Sequence, residues 1–183
     1  MSVVNPALDL RATESALVER VQKGDVEALS RLIEIHRAGI ISVATTILRD
    51  SNEAEDVVQD SFLRAYQRIH HIRSDCSFKN YLYRIATRQC LDRLRKRRSC
   101  LVSEIREEAQ LPVDVDSKIC VEKALEMLNP QMRTILLLRE IHDFDYNEIA
   151  DMLKIPVGTV RSRLHFARER FRKVWIQEVG LEC

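Results

Sequence analysis

Apolar residues recur at three- and four-residue intervals along most of this chain, and no segment joins the alternating period of a strand to turn punctuation. Leu17 and Val21 share a face until Gly24-Asp25 breaks the pattern. Leu29, Leu32, Ile33, His36 and Ile40 form the next stripe, and Asp50-Ser51-Asn52 makes a turn that supplies an N-cap. Val57, Val58, Phe62, Ala65 and Ile69 follow, then Phe78, Tyr81, Leu82, Ile85 and Leu94. With only four Gly and four Pro in 183 residues, a turn-rich β fold is excluded. The pattern predicts an all-α protein. Its longest aliphatic run, Ile135-Leu136-Leu137-Leu138, is far short of the roughly 20 residues that span a bilayer. Residues 1–10 lack the basic and apolar regions of a secretory signal, so no membrane insertion and a cytoplasmic location are expected.

The periodicity fades over residues 101–118, which are acidic and contain Pro112. This stretch is expected to be a flexible linker, with a short helical piece near 104–110. Periodicity resumes with Val121, Leu125 and Leu128. Asn129-Pro130 opens a new helix whose apolar face is expected to be Ile135, Leu136, Leu138 and Ile141. Two small helical domains, 14–100 and 119–178, therefore fit better than one globule, with tails at 1–13 and 179–183.

The formal net charge of +1 conceals strong segregation. Residues 84–100 hold seven basic side chains against Asp92, and residues 154–173 hold seven against Glu169. Acids gather instead at Asp50, Glu53, Glu55, Asp56 and Asp60, and again over 104–116. Two dense basic runs suit a polyanion better than two idle solvated faces. The five cysteines are irregularly spaced with no Cys-x-x-Cys, which is no disulfide framework. His70, His71 and Cys76 fit no common zinc spacing, and Cys90 reads as a small buried hydrophobe; no metal or cofactor is called for. Gly-rich phosphate loops, His-Glu-x-x-His and acids clustered beside the basic runs are all missing, so an enzyme acting on nucleic acid is disfavoured.

The most specific segment is 146–173. Ile149, Ala150 and Leu153 make the inner face of a short helix, Lys154-Ile155-Pro156 a tight connection, and Val157, Val160, Leu164, Ala167 and Phe171 the inner face of a longer helix. Ala150 is small where the helices cross, and Ile155 fills the corner. This is a helix-turn-helix, whose second helix enters the major groove by its N-terminal end. Thr159, Arg161, Ser162, Arg163 and His165 fall on its outer face.

Pro-Val-Gly-Thr-Val-Arg-Ser-Arg-Leu (156–164), with Tyr-Asn-Glu-Ile-Ala-Asp-Met-Leu (146–153) and Leu-Leu-Arg-Glu (137–140) before it, resembles region 4 of bacterial sigma factors of the extracytoplasmic-function class. Leu-Val-Glu-Arg-Val-Gln-Lys-Gly-Asp (17–25), Asp-Val-Val-Gln-Asp-Ser-Phe-Leu-Arg-Ala-Tyr (56–66) and Phe-Lys-Asn-Tyr-Leu-Tyr-Arg-Ile-Ala (78–86) resemble region 2. Little room remains between the two modules for a further globular region, as in that class. The resemblance implies a subunit that recruits core RNA polymerase, touching the β′ coiled coil and the β flap, and reads promoter DNA. It also implies an anti-sigma factor as regulator. It assigns polymerase contact to Asp56, Gln59, Asp60 and Leu63, and −35 contact to Thr159, Arg161, Ser162 and His165. Relatives often carry a basic residue at the place of Phe166.

For the −10 element, the loop 70–77 resembles the family's pocket for a flipped base, with Ile72 and Arg88 where some relatives have an aromatic and Asn. Opening a duplex draws on stacking and cationic contacts to single strands. Phe78, Leu82 and Ile85 are expected in the core; Ile72, Arg73, Lys79, Tyr83, Arg84 and Arg88 are the candidates for the separated strand, and Arg95 and Arg97 for the duplex backbone. An acidic strip with one exposed leucine suits a basic protein surface and would be repelled by DNA. The alternative reading is an autonomous helix-turn-helix regulator that binds an operator without polymerase.

Overall fold

The computed structural model describes residues 6–72, 77–101, 121 and 124–179, and among them there is helix and turn but no strand. The helices are α1 (Pro6–Gln22), α2 (Val26–Leu48), α3 (Ser51–Gln67), a short 3-10 turn (Ile69–His71), α4 (Phe78–Leu101), α5 (Pro130–Glu140), α6 (Tyr146–Leu153) and α7 (Val157–Val179). α1 begins at Pro6, inside the stretch expected to be a tail. The expected helical piece at 104–110 and nearly all of the expected linker lie outside the described residues. The chain divides into two compact units, Met1–Thr45 with Arg49–Gln89, and Thr46–Leu48 with Cys90–Cys183.

In the first unit the turn after α1 needs Gly24, whose φ of +90° is open to glycine and strained for other residues. Asp25 then caps α2 by accepting from the amides of Glu27 and Ala28, while Arg20 pairs with it at 2.7 Å. Arg49 takes the left-handed conformation (φ 58°) that ends α2, and Asp50 caps α3 through the Glu53 amide, as its sequence position predicts. The core of this unit is Leu17, Val18 and Val21 of α1, Ala28, Leu32, Ile40 and Val43 of α2, Ala54, Val57, Val58, Phe62 and Ala65 of α3, Ile69, and Phe78, Leu82, Tyr83 and Ala86 of α4. Ser61 is buried among them, and its hydroxyl accepts from Gln89 at 3.1 Å.

In the second unit Asn129 caps α5 through the Met132 amide, with Pro130 at the first helical position. α5 is buried nearly all round, from Arg133 to Leu138. Ile141, expected on its apolar face, is exposed, because α5 ends at Glu140 and the chain turns through Asp143 (φ 56°) to bury Phe144 instead. Arg133 is a buried cation whose guanidinium donates to the carbonyls of Leu125 (2.8 Å), Leu128 (3.0 Å) and Glu126 (3.2 Å). It satisfies acceptors that the end of the preceding helical turn leaves open.

α6 spans the eight residues that the apolar spacing predicts. So short a helix is unstable alone. It stands here because Ile149, Ala150 and Met152 are buried and because Asp145 and Glu148 form a capping box. Asp145 accepts from the amides of Asn147 (2.7 Å) and Glu148 (2.8 Å), and Glu148 accepts from the Asp145 amide (2.8 Å). Lys154 in the left-handed conformation closes α6, and Pro156, whose carbonyl accepts from the Thr159 and Val160 amides, leads into α7. Val160, Leu164 and Ala167 of α7 pack on α5 and α6.

Replacing Asp145 by Ala should destabilise α6 by about 0.5–2 kcal/mol, whereas Asp145→Asn should stay close to the parent. Hydrogen exchange of the α6 amides in the full chain reads this difference.

Candidate polymerase and promoter DNA interfaces

Three helix faces carry the residues singled out by sequence. On α3 the inward stripe leaves Asp56, Gln59 and Leu63 exposed and Asp60 half-buried, on the opposite side from Val57, Val58 and Phe62. Leu63 is 55% exposed and Tyr66, one turn on, 48%, so the acidic strip carries two large apolar side chains. Tyr66 was not singled out from the sequence, although its i+3 spacing from Leu63 places it on the same face.

On α4 the buried band is wider than expected and turned toward Tyr83. Phe78, Leu82, Tyr83, Ala86, Thr87 and Cys90 are all buried, while Tyr81 and Ile85 are only half-buried. Tyr83 is 3% exposed, and burial pushes its phenol up to about 12. Its ring cannot stack on a base, which corrects its placement among the strand-binding candidates. The small residues Ala86, Thr87 and Cys90 extend the core seam along the 83–87–90 row, and a stripe drawn from large side chains misses them. Tyr81 is the less buried of the two tyrosines, and Arg84 lies over its ring at 5.2 Å, which sets an aromatic and a cation side by side. The Lys79 amine lies 5.9 Å from the Tyr83 ring. Arg88 and Ile72 are half-buried, and Arg73 lies outside the described residues.

Further along α4, Arg95 is exposed and paired with Asp92 at 3.1 Å, a weak surface pair that a phosphate can displace. Arg97 is half-buried and donates to the Leu48 carbonyl at 3.3 Å. It is therefore engaged in holding α4 to the end of α2, besides any role at a phosphate.

On α7 the first three turns expose Arg161, Ser162, His165 and Phe166, with Thr159 and Arg163 half-buried. The Ser162 hydroxyl donates to the Thr159 carbonyl at 3.1 Å. Arg161 lies 6.0 Å from the centre of the Tyr146 ring, and Arg139 lies over the same ring at 5.4 Å. Tyr146, at the start of α6, thus gathers one cation from α5 and one from α7. That grouping joins residues far apart in sequence and has no local signal. Phe166 is 57% exposed and meets His165 edge to face at 5.8 Å. Further along, Arg168 is bound by both its Nε and Nη2 to one oxygen of Glu140, at 2.9 and 2.6 Å, and this raises its pKa further above the ordinary arginine value. Phe171 stacks on Trp175 at 6.1 Å.

Among the described residues no group of His, Cys, Asp and Glu is arranged to hold a metal ion, and no helix is long and apolar enough to cross a membrane.

Tyr83 generates a spectroscopic expectation. Its folded pKa lies above the unfolded value of about 10, so its contribution to stability is complete below that pH and is lost as pH rises toward 12. Ultraviolet titration should show one of the four tyrosines ionising last, and Tyr83→Phe should remove that component and flatten the alkaline loss of stability between those pH values.

Two family models match the chain: Sigma-70 region 2 over residues 32–100, and Sigma-70, region 4 over residues 118–171. The chain is 31% identical over 174 residues to the ECF RNA polymerase sigma factor SigW of Bacillus subtilis, covering 85% of this chain and 93% of that protein. It is 33% identical to the RNA polymerase sigma-H factor of Pseudomonas aeruginosa (87% and 92% covered) and 33% identical to the ECF RNA polymerase sigma-E factor of Escherichia coli K12 (86% and 91%). Among solved structures its fold is similar to the sigma factor RpoE of Bartonella quintana in complex with the anti-sigma factor NepR, at TM-score 0.67 and 22% identity over 79% of this chain and 94% of that one. It is equally similar to CnrH in complex with the cytosolic domain of CnrY, at TM-score 0.68 and 22% identity over 88% and 96%.

Proposed function

Because this chain belongs to the ECF class of RNA polymerase sigma factors, we propose that it binds core polymerase through α3 and reads promoter DNA through α4 and α7. Asp56, Gln59, Asp60 and Leu63 meet a basic protein surface on the polymerase. Ile72, Arg73, Lys79, Tyr81, Arg84 and Arg88 serve the separated −10 strand, with Arg95 and Arg97 on the duplex backbone. Thr159, Arg161, Ser162, Arg163 and His165 read the −35 element from the major groove. The subunit directs initiation at chosen promoters and catalyses nothing itself; nucleotide addition belongs to the polymerase. It acts in the cytoplasm. An anti-sigma factor holds it inactive, a proposal supported by the two similar folds that were captured with such partners or with a partner's cytosolic domain.

The observation that carries this is the opposition of charge within one chain. DNA repels the acidic face of α3, while the first turns of α7 expose cations to it. An autonomous regulator has no use for the first face. Co-elution of the chain with core polymerase tests the assignment, and a chain that binds its DNA tightly yet never associates with core enzyme would refute it.

Two sets of variants separate the surfaces. Asp56→Lys with Asp60→Lys should weaken core binding at physiological salt while helicity stays native; unchanged affinity would remove α3 from the polymerase interface. On the holoenzyme, Arg161→Ala should cost about 1–3 kcal/mol on the matched −35 sequence and little on a scrambled one. Arg172→Ala, roughly three turns further along α7, should affect both DNAs alike or neither. An equal loss on both DNAs for Arg161→Ala would make it a phosphate clamp.

A further inference from the structure

We propose that Glu14, on α1, is a positioning residue for −10 recognition: its buried carboxylate fixes the first turn of α4 and with it the rotation at which Tyr81 and Arg84 meet the separated strand. The proposal rests on the assignment of α4 to the −10 element.

Glu14 is buried, which is costly for a carboxylate unless its oxygens are satisfied. Here both are used, and both reach the start of α4, more than sixty residues away in sequence. Oε1 accepts from the Lys79 backbone N–H at 2.6 Å. Oε2 accepts from the Ser77 hydroxyl at 3.2 Å. The first amides of a helix are orphan donors at the positive end of its dipole, so a carboxylate there is doubly favoured. α2 closes the cluster. His36, also buried, places Nε2 3.2 Å from Glu14 Oε1, an ion-pair distance without the alignment of a hydrogen bond. Its ring packs on Phe78, the first residue of α4, at 5.6 Å between centroids. Burial works to raise the Glu14 carboxyl, but the attraction of His36 and the bonds from Lys79 and Ser77 outweigh it and hold the pKa below the ordinary value.

Three helices thus converge where α4 begins, and the ligands follow immediately. Lys79 is the residue whose amide is held, and Tyr81 lies two positions on. Arg84 lies over Tyr81 only while both stand on a continuous helix, since the pair is spaced i,i+3. Releasing the first turn would free Lys79 and Tyr81 from that frame and leave the polymerase-facing strip of α3 untouched. α1 also precedes residues 32–100, the part matched by the region 2 model. Glu14 therefore lies outside the residues that this model matches, just before the 17–25 segment that resembles region 2.

The test uses holoenzyme on a promoter selected by run-off transcription from a randomised library, presented as duplex and with its −10 segment pre-melted as a mismatched bubble. Glu14→Ala should weaken bubble binding about tenfold, the loss of a charge-assisted bond, with affinity for core polymerase unchanged. Glu14→Gln, which keeps an oxygen for the Lys79 amide, should retain most of the binding. Ser77→Asp added to Glu14→Ala supplies a carboxylate from α4's own cap position and should restore it. Unchanged bubble binding in Glu14→Ala, or an equal loss of core affinity, overturns the proposal. If Glu14→Ala loses helicity, the double variant decides: recovered helicity without recovered bubble binding overturns it too. Arg84→Ala in the same assay separates the two levels. A loss there with none in Glu14→Ala rejects Glu14 alone, whereas no loss in Arg84→Ala rejects the −10 assignment of α4 and the proposal with it.

Discussion

The apolar stripe of a helix occupies a face that is then closed to any partner, and in a chain built of helices this partition decides where functional side chains can stand. On α3, burying Val57, Val58, Phe62 and Ala65 leaves Asp56, Gln59 and Leu63 outward. On α7, burying Val160, Leu164 and Ala167 turns Arg161, Ser162 and His165 outward at the end that leads into a groove. α4 shows the rule at its most restrictive. Its core band takes Tyr83 as well as Phe78 and Leu82, and leaves Tyr81 and the neighbouring cations only partly covered.

Helix ends impose the second demand. α2, α3, α5 and α6 begin on Asp25, Asp50, Asn129 and Asp145, each accepting from first-turn amides within three residues. At Arg133 the donor comes from the helix that follows, reaching back to open carbonyls. At α4 a carboxylate comes from another helix altogether, through Glu14. A long-range cap ties the position of a helix to the packing of its neighbours, whereas a local cap leaves it free to move with its own loop. That difference matters most for a helix proposed to present side chains to a ligand as irregular as separated DNA.

Charge is divided along the same lines. The acids of α3 and the cations of α7 stand on separate compact units of one chain, and under the proposed function each sign meets a different macromolecule. Several cations of the second unit are themselves held. Arg161 and Arg139 share the ring of Tyr146, and Arg168 is pinned to Glu140. Side chains ordered before binding lose less entropy on meeting their target.

The amino-acid order by itself determined that the chain is helical, the inward stripe of α3, the bounds of α6 and the turn into α7, and the caps at Asp50 and Asn129. These follow from spacing and from local chemistry over a few residues. Tertiary structure alone decided which tyrosine of α4 is available, because Tyr81 and Tyr83 both flank Leu82 of the apolar stripe and only the packing around α4 says which is covered. Ala86, Thr87 and Cys90 are buried together with Tyr83 and extend the core along that side of α4. Ile141 is exposed for a related reason: the turn at Asp143 ends α5 early and Phe144 fills the space. The Tyr146 cluster and the Glu14 cap join residues from different helices, and no periodicity within one helix encodes a contact whose partner lies on another.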